Sequence, residues 1–227
     1  MNVLLIGASR GIGLELARQY LEAGDRVIAT ARDATSMDRL KDMGAHTIKL
    51  DVANPASVSG LSWQLDGEKI DVAIYVAGVF NTDSATSPPT QPEFDRVLHS
   101  NVLGAMQAIP QVAPWVEEAH GQFAFITSDM GRIGGVHSSR GWVYQVSKAA
   151  LNMAVVAAQP DYPRARFSLI HPGWVQTDMG TAAAPLTAEA SARGIRTTLA
   201  ALAAQAGAPG AWQVPFLQWD GKVFASW

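Results

Sequence analysis

The sequence predicts an α/β protein in which a doubly wound parallel sheet is covered by helices on both faces. Short apolar runs of strand length alternate with segments whose apolar residues recur at helical spacing, and the connections between them are short. Four of these apolar runs end at or next to Gly7, Arg32, Asp51 and Gly78. Parallel sheets of this kind bind ligands at the edge where their strands end. No linker, repeat or break in composition divides the 227 residues. We therefore expect one domain over residues 1–227.

The first predicted element is a strand, the apolar run from Val3 to Ile6, which ends at Gly7. Ile12, Leu16 and Tyr20 then recur at helical spacing. The seven predicted strands cover residues 3–6, 26–31, 46–50, 70–76, 123–127, 164–170 and 214–217. The predicted helices cover residues 12–23, 35–43, 55–65, 93–118, 142–159 and a last stretch from 187 past 202. This order predicts a Rossmann-type seven-stranded sheet with right-handed crossovers.

Caps and prolines mark several helix ends. Thr35-Ser36 can cap the second helix, and Asn54-Pro55 provides a cap followed by proline at the first helical position of the third. The long helix from Glu93 contains Pro110 and Pro114, which are expected to kink or break its later part.

Composition excludes several classes of function. The net charge is −3 with no block of like charge, so neither a nucleic acid nor a membrane is expected as a partner. The absence of cysteine excludes disulfides and thiolate chemistry, and the five histidines lack ligand spacing, so no metal site is expected. Strand residues begin at Asn2, which leaves no room for a signal peptide, and the alanine-rich stretch 197–208 is too short to span a bilayer. These features predict a soluble cytoplasmic protein.

The first turn carries glycines at positions 7, 11 and 13, between a buried strand and a helix N-terminus. Backbone N–H groups and the positive end of the helix dipole converge at such a turn, and glycines let a pyrophosphate approach the main chain. Glycines also occur in plain tight turns, but this placement favours nucleotide binding.

Tyr144 and Lys148 form the predicted chemical centre. They are four residues apart at the start of a helix, so the phenol and the ammonium lie on one face. An isolated pair of this kind could simply lie on the surface. The preceding Ser128, the nucleotide turn and the apolar remainder of the helix favour a shared site. Asn101 lies within a predicted helix, where a solvated surface position is the alternative.

Taken together, the motifs resemble those of the short-chain dehydrogenase/reductase family over nearly the whole chain, and most closely those of its compact carbonyl reductase and C-factor-like members. The resemblance rests on Gly7-Ala8-Ser9-Arg10-Gly11-Ile12-Gly13, Asp51-Val52, Ala77-Gly78, Asn101, Ser128, Tyr144-x3-Lys148 and Pro172-Gly173 through Thr177. It implies hydride transfer between a nicotinamide cofactor and a carbonyl or alcohol substrate. The catalytic residues that it implies are Asn101, Ser128, Tyr144 and Lys148. The implied cofactor-binding residues are Gly7, Ser9, Arg10, Gly11, Ile12, Gly13, Arg32, Asp51, Val52, Ala77, Gly78, Tyr144, Lys148, Pro172, Gly173, Val175 and Thr177.

The resemblance also assigns roles. Tyr144 would act as general acid, with its pKa lowered by Lys148 and by the charge of an oxidised nicotinamide. Lys148 would also donate to the nicotinamide ribose. Ser128 would hydrogen-bond the substrate oxygen, and Asn101 would hold a water that links Lys148 to solvent. Asp51 and Val52 would hold the adenine, and Thr177 would contact the carboxamide.

The sequence departs from the family pattern in two places. The usual Asn-Asn-Ala-Gly is Tyr75-Val76-Ala77-Gly78, so polar side chains that brace the strand ends are missing. A glycine-rich loop makes the separation of Ser128 from Tyr144 unusually long, and Ser138 or Ser139 could replace Ser128.

The second predicted strand ends at Arg32, with no carboxylate before Asp33. NAD-specific sites usually place a carboxylate at this end, whereas an arginine suits a 2′-phosphate. The sequence therefore predicts a preference for NADP(H) over NAD(H), with Arg10 on the same side of the cleft. The alternative is that Arg32 is a solvated loop residue and that Asp33 reaches the ribose.

Helices 93–118 and 142–159 carry more apolar and small residues than one buried face requires, which predicts a homodimer or homotetramer. A rival function is a C-factor-like signalling or nucleotide-binding protein with little turnover. An extended sugar-nucleotide epimerase or dehydratase would need a further C-terminal substrate domain.

Overall fold

The computed structural model, which describes residues 1–205 and 212–227, contains a seven-stranded parallel sheet with the strand order β3-β2-β1-β4-β5-β6-β9. The predicted fold class is therefore confirmed. The sheet is formed by β1 (Asn2–Ile6), β2 (Arg26–Ala31), β3 (His46–Lys49), β4 (Val72–Tyr75), β5 (Gln122–Ile126), β6 (Arg166–His171) and β9 (Phe216–Gln218). Their ends differ from the prediction by no more than two residues. A small parallel pair that was not predicted, β7 (Val175–Gln176) and β8 (Leu186–Thr187), follows β6.

Helices cover both faces of the sheet. They are α1 (Gly11–Glu22), α2 (Ala34–Asp42), α3 (Pro55–Val58), α4 (Leu61–Gln64), α5 (Gln91–Leu98), α6 (Gly104–Glu118), α7 (Trp142–Ala158) and α8 (Ala188–Ala203). Alternate residues of β1 point to opposite faces: Leu4 and Ile6 join one apolar cluster, and Val3 and Leu5 join the other. The first cluster packs under α6 and α7, and the second packs under α1 and α8.

The helix predicted over residues 55–65 is instead two short helices, α3 and α4, with Gly60 between them. Glycine is a poor residue for a helix interior because it has the most backbone freedom to lose. Val58, Leu61 and Leu65 are nevertheless fully buried, as the predicted stripe requires.

Pro110 and Pro114 were expected to kink or break the long helix, and the break is wrong, because α6 continues through both prolines. The interruption comes earlier, where the π-helix His99–Leu103 joins α5 to α6. Met106, Pro110 and Pro114 all lie on the exposed face, where water can replace the hydrogen bonds that proline removes.

The predicted cap of α2 is also corrected. Asp33, rather than Thr35 or Ser36, is the N-cap residue, and its carboxylate accepts from the N–H of Ser36 at 2.8 Å and from its hydroxyl at 2.8 Å.

Within the described residues, no helix is both long and apolar enough to cross a membrane. Residues 206–208 of the alanine-rich stretch lie outside the described residues.

Candidate active site

A cleft opens at the carboxyl edge of the sheet, where β2 and β4 flank β1 on opposite sides. The chain order reverses at this point, which is where open parallel sheets bind ligands. The predicted site residues that line the cleft are Gly7, Ser9, Arg10, Gly11, Ile12, Arg32, Asp51, Val52, Ala77, Gly78, Tyr144, Lys148, Pro172 and Thr177. Gly13, Asn101, Ser128, Gly173 and Val175 are not part of its lining.

The glycine turn brings its backbone close to neighbouring chain. Gly7 has a φ of 93°, and a Cβ there would come within 2.8 Å of the backbone of Ala77. A Cβ on Gly13 would overlap the carbonyl oxygen of Gly7, so Gly13 keeps α1 packed against β1. Arg10 precedes α1 without capping it through its side chain, and Gly11 and Ile12 of the first turn of α1 line the cleft. This turn fits the pyrophosphate of a dinucleotide.

Arg32 and Asp33 follow β2 but are used differently. Arg32 is exposed and lines the cleft. Hydrogen bonds from Ser36 hold the pKa of Asp33 below its usual value, which agrees with its role as the cap of α2. Arg39, which sequence reasoning did not single out, donates to the carbonyl oxygen of Ser9 and so ties α2 to the glycine turn.

Arg10 pairs with Asp178 across the cleft, with 2.7 Å between their charged atoms. Both side chains are more than half exposed, so water and salt screen the pair. No sequence pattern indicates this partner, because Asp178 is more than 160 residues away from Arg10 and lies in an irregular segment. Gly173 packs closely against β8, since a Cβ there would come within 2.8 Å of the Leu186 side chain, and Val175 is buried at the start of β7.

Tyr144 lies in the first turn of α7, and Lys148 lies one turn later. The Nζ atom of Lys148 is 5.6 Å from the centroid of the Tyr144 ring and donates to the carbonyl oxygen of Ile126 at 2.9 Å. Tyr144 is 7% exposed and Lys148 is 4% exposed. The surface alternative for this pair is therefore excluded.

Lys148 and an oxidised nicotinamide together were expected to lower the pKa of Tyr144, and that joint effect stays a prediction; the protein alone has a different balance. Burial raises the pKa of Tyr144 to about 12, and a hydrogen bond with Ser128 opposes the rise only in part. Burial also lowers the pKa of Lys148 to about 8. Removal from water disfavours the charged form of each group. Lys148 is therefore the member of the pair that titrates nearer to neutral pH.

Ser128 follows β5 and caps a short 3-10 helix, Asp129–Gly131. Its Oγ accepts from the N–H of Met130 at 3.1 Å and is 3.2 Å from a carboxylate oxygen of Asp129. Ser138 and Ser139, the alternatives to Ser128, line a separate groove. A hydrogen bond with Ser128 opposes the rise in the pKa of Tyr144, which favours Ser128 as the hydroxyl beside Tyr144.

Asn101 lies within the π-helix and is fully buried, so the surface interpretation is wrong. Its side chain accepts from the N–H of Val79 at 2.8 Å and donates to the carbonyl oxygen of Val79 at 2.9 Å. It also donates to Oγ of Ser147 at 2.9 Å. Asn101 thus joins the segment after β4 to the helix that carries Tyr144.

Tyr75 compensates for one of the missing family asparagines. Its side chain is fully buried, and its hydroxyl donates to the carbonyl oxygen of Ser100 at 3.0 Å. A Cβ on Gly104 would come within 2.7 Å of this hydroxyl oxygen. Tyr75 therefore braces the π-helix around Asn101, although it stands where the family pattern has an asparagine at the strand end.

Comparison with known proteins identifies the family of this chain. The family model described as short chain dehydrogenase matches residues 1–186. The chain therefore belongs to the short-chain dehydrogenase family and is an oxidoreductase that acts on a CH–OH or C=O group.

Three similar proteins illustrate the relationship. A 1-hydroxy-2-glutathionyl-2-methyl-3-butene dehydrogenase of Rhodococcus sp. (strain AD45) is 33% identical over 189 residues, which cover 78% of this chain and 79% of that protein. The C-signal protein of Myxococcus xanthus is 36% identical over 129 residues, or 56% of this chain and 78% of that protein. A structure from Burkholderia multivorans, described as a short-chain dehydrogenase/reductase with bound NADP, is 26% identical with a TM-score of 0.87, covering 100% of this chain and 99% of that one. The match to C-signal confirms the resemblance to C-factor-like members.

Proposed function

We propose that this protein is an NADP(H)-dependent reductase of a small carbonyl compound, or a dehydrogenase of the corresponding alcohol, with Tyr144 as general acid or base. The observation that carries the proposal is the burial of Tyr144 and Lys148 together on one wall of a cleft that opens beside the glycine turn. A buried proton donor next to a dinucleotide site is the arrangement that carbonyl reduction needs.

Each residue of the site would have its own role in binding or catalysis. The bound nicotinamide cofactor supplies or accepts the hydride. The turn from Gly7 to Gly13 would hold the pyrophosphate, and Lys148 would bind the nicotinamide ribose. Tyr144 would give its proton to the developing alkoxide while the hydroxyl of Ser128 orients the substrate oxygen. Pro172 and Thr177 would support the nicotinamide from the opposite side.

A proton route could connect this site to solvent through Asn101. A Cβ on Gly78 would lie 3.3 Å from the side-chain oxygen of Asn101 and 3.6 Å from Nζ of Lys148. Gly78 therefore leaves space between the two groups. This supports the proposal that Asn101 holds a water beside Lys148.

A screen of aldehydes, ketones and quinones tests the proposed activity directly. NADPH oxidation, followed by absorbance, should accelerate with at least one class of carbonyl compound in the unaltered protein. In Tyr144→Phe this acceleration should be at least about 100-fold smaller. The second candidate function is a signalling role without useful turnover, which the similarity to C-signal favours. Tight NADPH binding with no turnover across the whole screen would favour that second function.

The rate of reduction should fall as the pH rises above about 8. The charged form of Lys148, which would stabilise the developing phenolate of Tyr144, is lost through its lowered pKa of about 8. Tyr144 itself stays protonated, because its pKa is about 12. Measurement of kcat/KM between about pH 6 and about pH 10 should show a single descending limb. A profile that stays flat to the upper limit would contradict the assignment to Lys148.

We also propose that two copies pair through α6 and α7 to give a homodimer or homotetramer. An apolar stripe follows α7 at heptad-like spacing and consists of the half-buried Ala149 and four exposed residues, Trp142, Val146, Met153 and Val156. An apolar groove beside Ile133 and Val136 continues this stripe.

A cytoplasmic location remains a prediction from the sequence.

The mass measured by light scattering at micromolar concentration should therefore be at least that of a dimer. The substitution Met153→Lys should lower this mass toward that of the monomer. Met153 is 69% exposed in the single chain, so the substitution leaves the core intact. Trp63→Lys, on an exposed apolar residue of α4, is the matched control and should not change the mass. A monomer in the unaltered protein would exclude the interface.

A further inference from the structure

The helix that carries Tyr144 begins without a cap of its own. Its N-cap residue is Gly141, which has a φ of 72° and no side chain to accept a hydrogen bond. The first intrahelical bond runs from the N–H of Gln145 to the carbonyl oxygen of Gly141. The N–H groups of Val143 and Tyr144 therefore need partners from elsewhere in the chain, since the first turn of a helix offers none.

Those partners come from the loop after β4. The side-chain oxygen of Asn81 accepts from the N–H of Tyr144 at 3.2 Å, and a carboxylate oxygen of Asp83 accepts from the N–H of Val143 at 3.3 Å. The carbonyl oxygen of Asp83 also accepts from the N–H of Gly141 at 2.7 Å. Asn81 is 6% exposed, although its sequence position is in an irregular segment.

The neighbouring Phe80 supports the ring of the same tyrosine. The two rings meet edge to face with centroids 4.8 Å apart. A Cβ on Gly141 would come within 3.0 Å of Phe80 and 3.2 Å of the carbonyl oxygen of Asn81. The loop is thus packed directly against the helix start, which leaves little freedom for either to shift alone.

Resting on the proposed function, we propose that Asn81 and Asp83 are positioning residues that cap the catalytic helix from another part of the chain and so hold Tyr144 in its reactive place. Side-chain oxygens at the second and third N–H groups of a helix do the work of an ordinary N-cap residue. The carboxylate of Asp83 also lies at the positive end of the helix dipole. Because proton transfer demands close geometry, even a small shift of Tyr144 should slow the reaction strongly.

The buried polar atoms of the loop support this role. Among the described residues, the amide nitrogen of Asn81 and the second carboxylate oxygen of Asp83 are buried without a hydrogen-bond partner. Leaving such atoms unpaired destabilises a fold. The hydrogen bonds that these two side chains do make are those from the N–H groups of Tyr144 and Val143 at the start of α7.

The test compares Asn81→Leu, which removes the acceptor, with Asn81→Asp, which keeps it. Thr82→Ala, on the exposed residue between the two caps, is the matched control. Amide hydrogen exchange, which needs no substrate, should be at least about tenfold faster at Tyr144 in Asn81→Leu and near normal in the other two variants. The turnover of para-nitrobenzaldehyde with NADPH should fall about 10- to 100-fold in Asn81→Leu, while KM and the Kd for NADPH change less than about twofold.

A double variant separates this inference from the proposed function. If Asn81 acts through Tyr144, adding Asn81→Leu to Tyr144→Phe should lower turnover little further, because residues that work as a unit are not additive. Normal turnover in Asn81→Leu despite faster exchange would overturn the positioning role, and unchanged exchange would overturn the cap itself. Full activity in Tyr144→Phe would instead contradict the proposed function. Should Asn81→Leu fail to fold, Asp83→Ala against Asp83→Asn makes the same comparison at the N–H of Val143.

Discussion

Replacing Tyr144 with phenylalanine should lower turnover by at least about 100-fold, the smaller end of the effect expected when a positioned acid is lost. The phenol lies at the cleft wall, buried and held by the start of α7. Phenylalanine keeps the ring and its edge contact with Phe80, so the fold should tolerate the change. The Kd for NADPH should change little, since the hydroxyl is not a main cofactor ligand in the proposed site. Steady-state kinetics and fluorescence titration with NADPH measure the two effects separately.

Tyr162→Phe makes the same chemical change on a tyrosine that packs against Phe167, and it should leave activity intact. Lys148→Ala should behave differently from Tyr144→Phe and weaken both turnover and NADPH binding, because Lys148 would serve the phenol and the ribose together. Turnover near the unaltered value in Tyr144→Phe would show that another group supplies the proton.

The sheet could be predicted almost completely from sequence, because the pattern of each strand is local. Buried parallel strands require continuous apolar runs, and those of β1 and β4 end on small residues that later line the cleft. Helix interruptions were harder to predict. The break at Gly60 and the π-helix at residues 99–103 depend on how the turns pack, and neither changes the apolar spacing enough to be read from it.

The glycines could be placed in the site from the sequence because they follow a predicted strand at a recognisable spacing. Tyr144 and Lys148 could be placed there because a separation of four residues puts them on one helix face. Asn81, Asp83 and Asp178 could not. They lie in irregular segments, and their partners are 60 or more residues away. Only the path of the folded chain brings them to the helix start or to Arg10.

The raised pKa of Tyr144 in the protein alone could not be predicted from the sequence for a related reason. Spacing shows that a phenol and an ammonium share a helix face, but it does not show how dry that face is. With both groups buried, loss of hydration raises the pKa of Tyr144 and lowers that of Lys148.

Arg32→Asp should reverse the cofactor preference of this protein, which we propose to be NADPH over NADH. Arg32 lines the cleft just beyond β2, where a 2′-phosphate would lie if the dinucleotide binds along the glycine turn. A charge-assisted hydrogen bond contributes about 1.5–3 kcal/mol, which corresponds to discrimination of roughly 10- to 100-fold. The variant should lose that factor for NADPH and bind NADH better, as measured by fluorescence titration.

Asp33→Asn is the matched control, because asparagine keeps an acceptor for the N–H of Ser36 while it removes the charge. If Asp33 only caps α2, the Kd for NADH should stay unchanged in this variant. A large loss of NADH affinity would mean that Asp33 reaches the ribose, and equal dissociation constants for NADPH and NADH in the unaltered protein would contradict the preference itself. The hydrogen bonds from Ser36 favour an unchanged Kd for NADH in Asp33→Asn, because both carboxylate oxygens of Asp33 already accept hydrogen bonds from α2, the helix that follows β2.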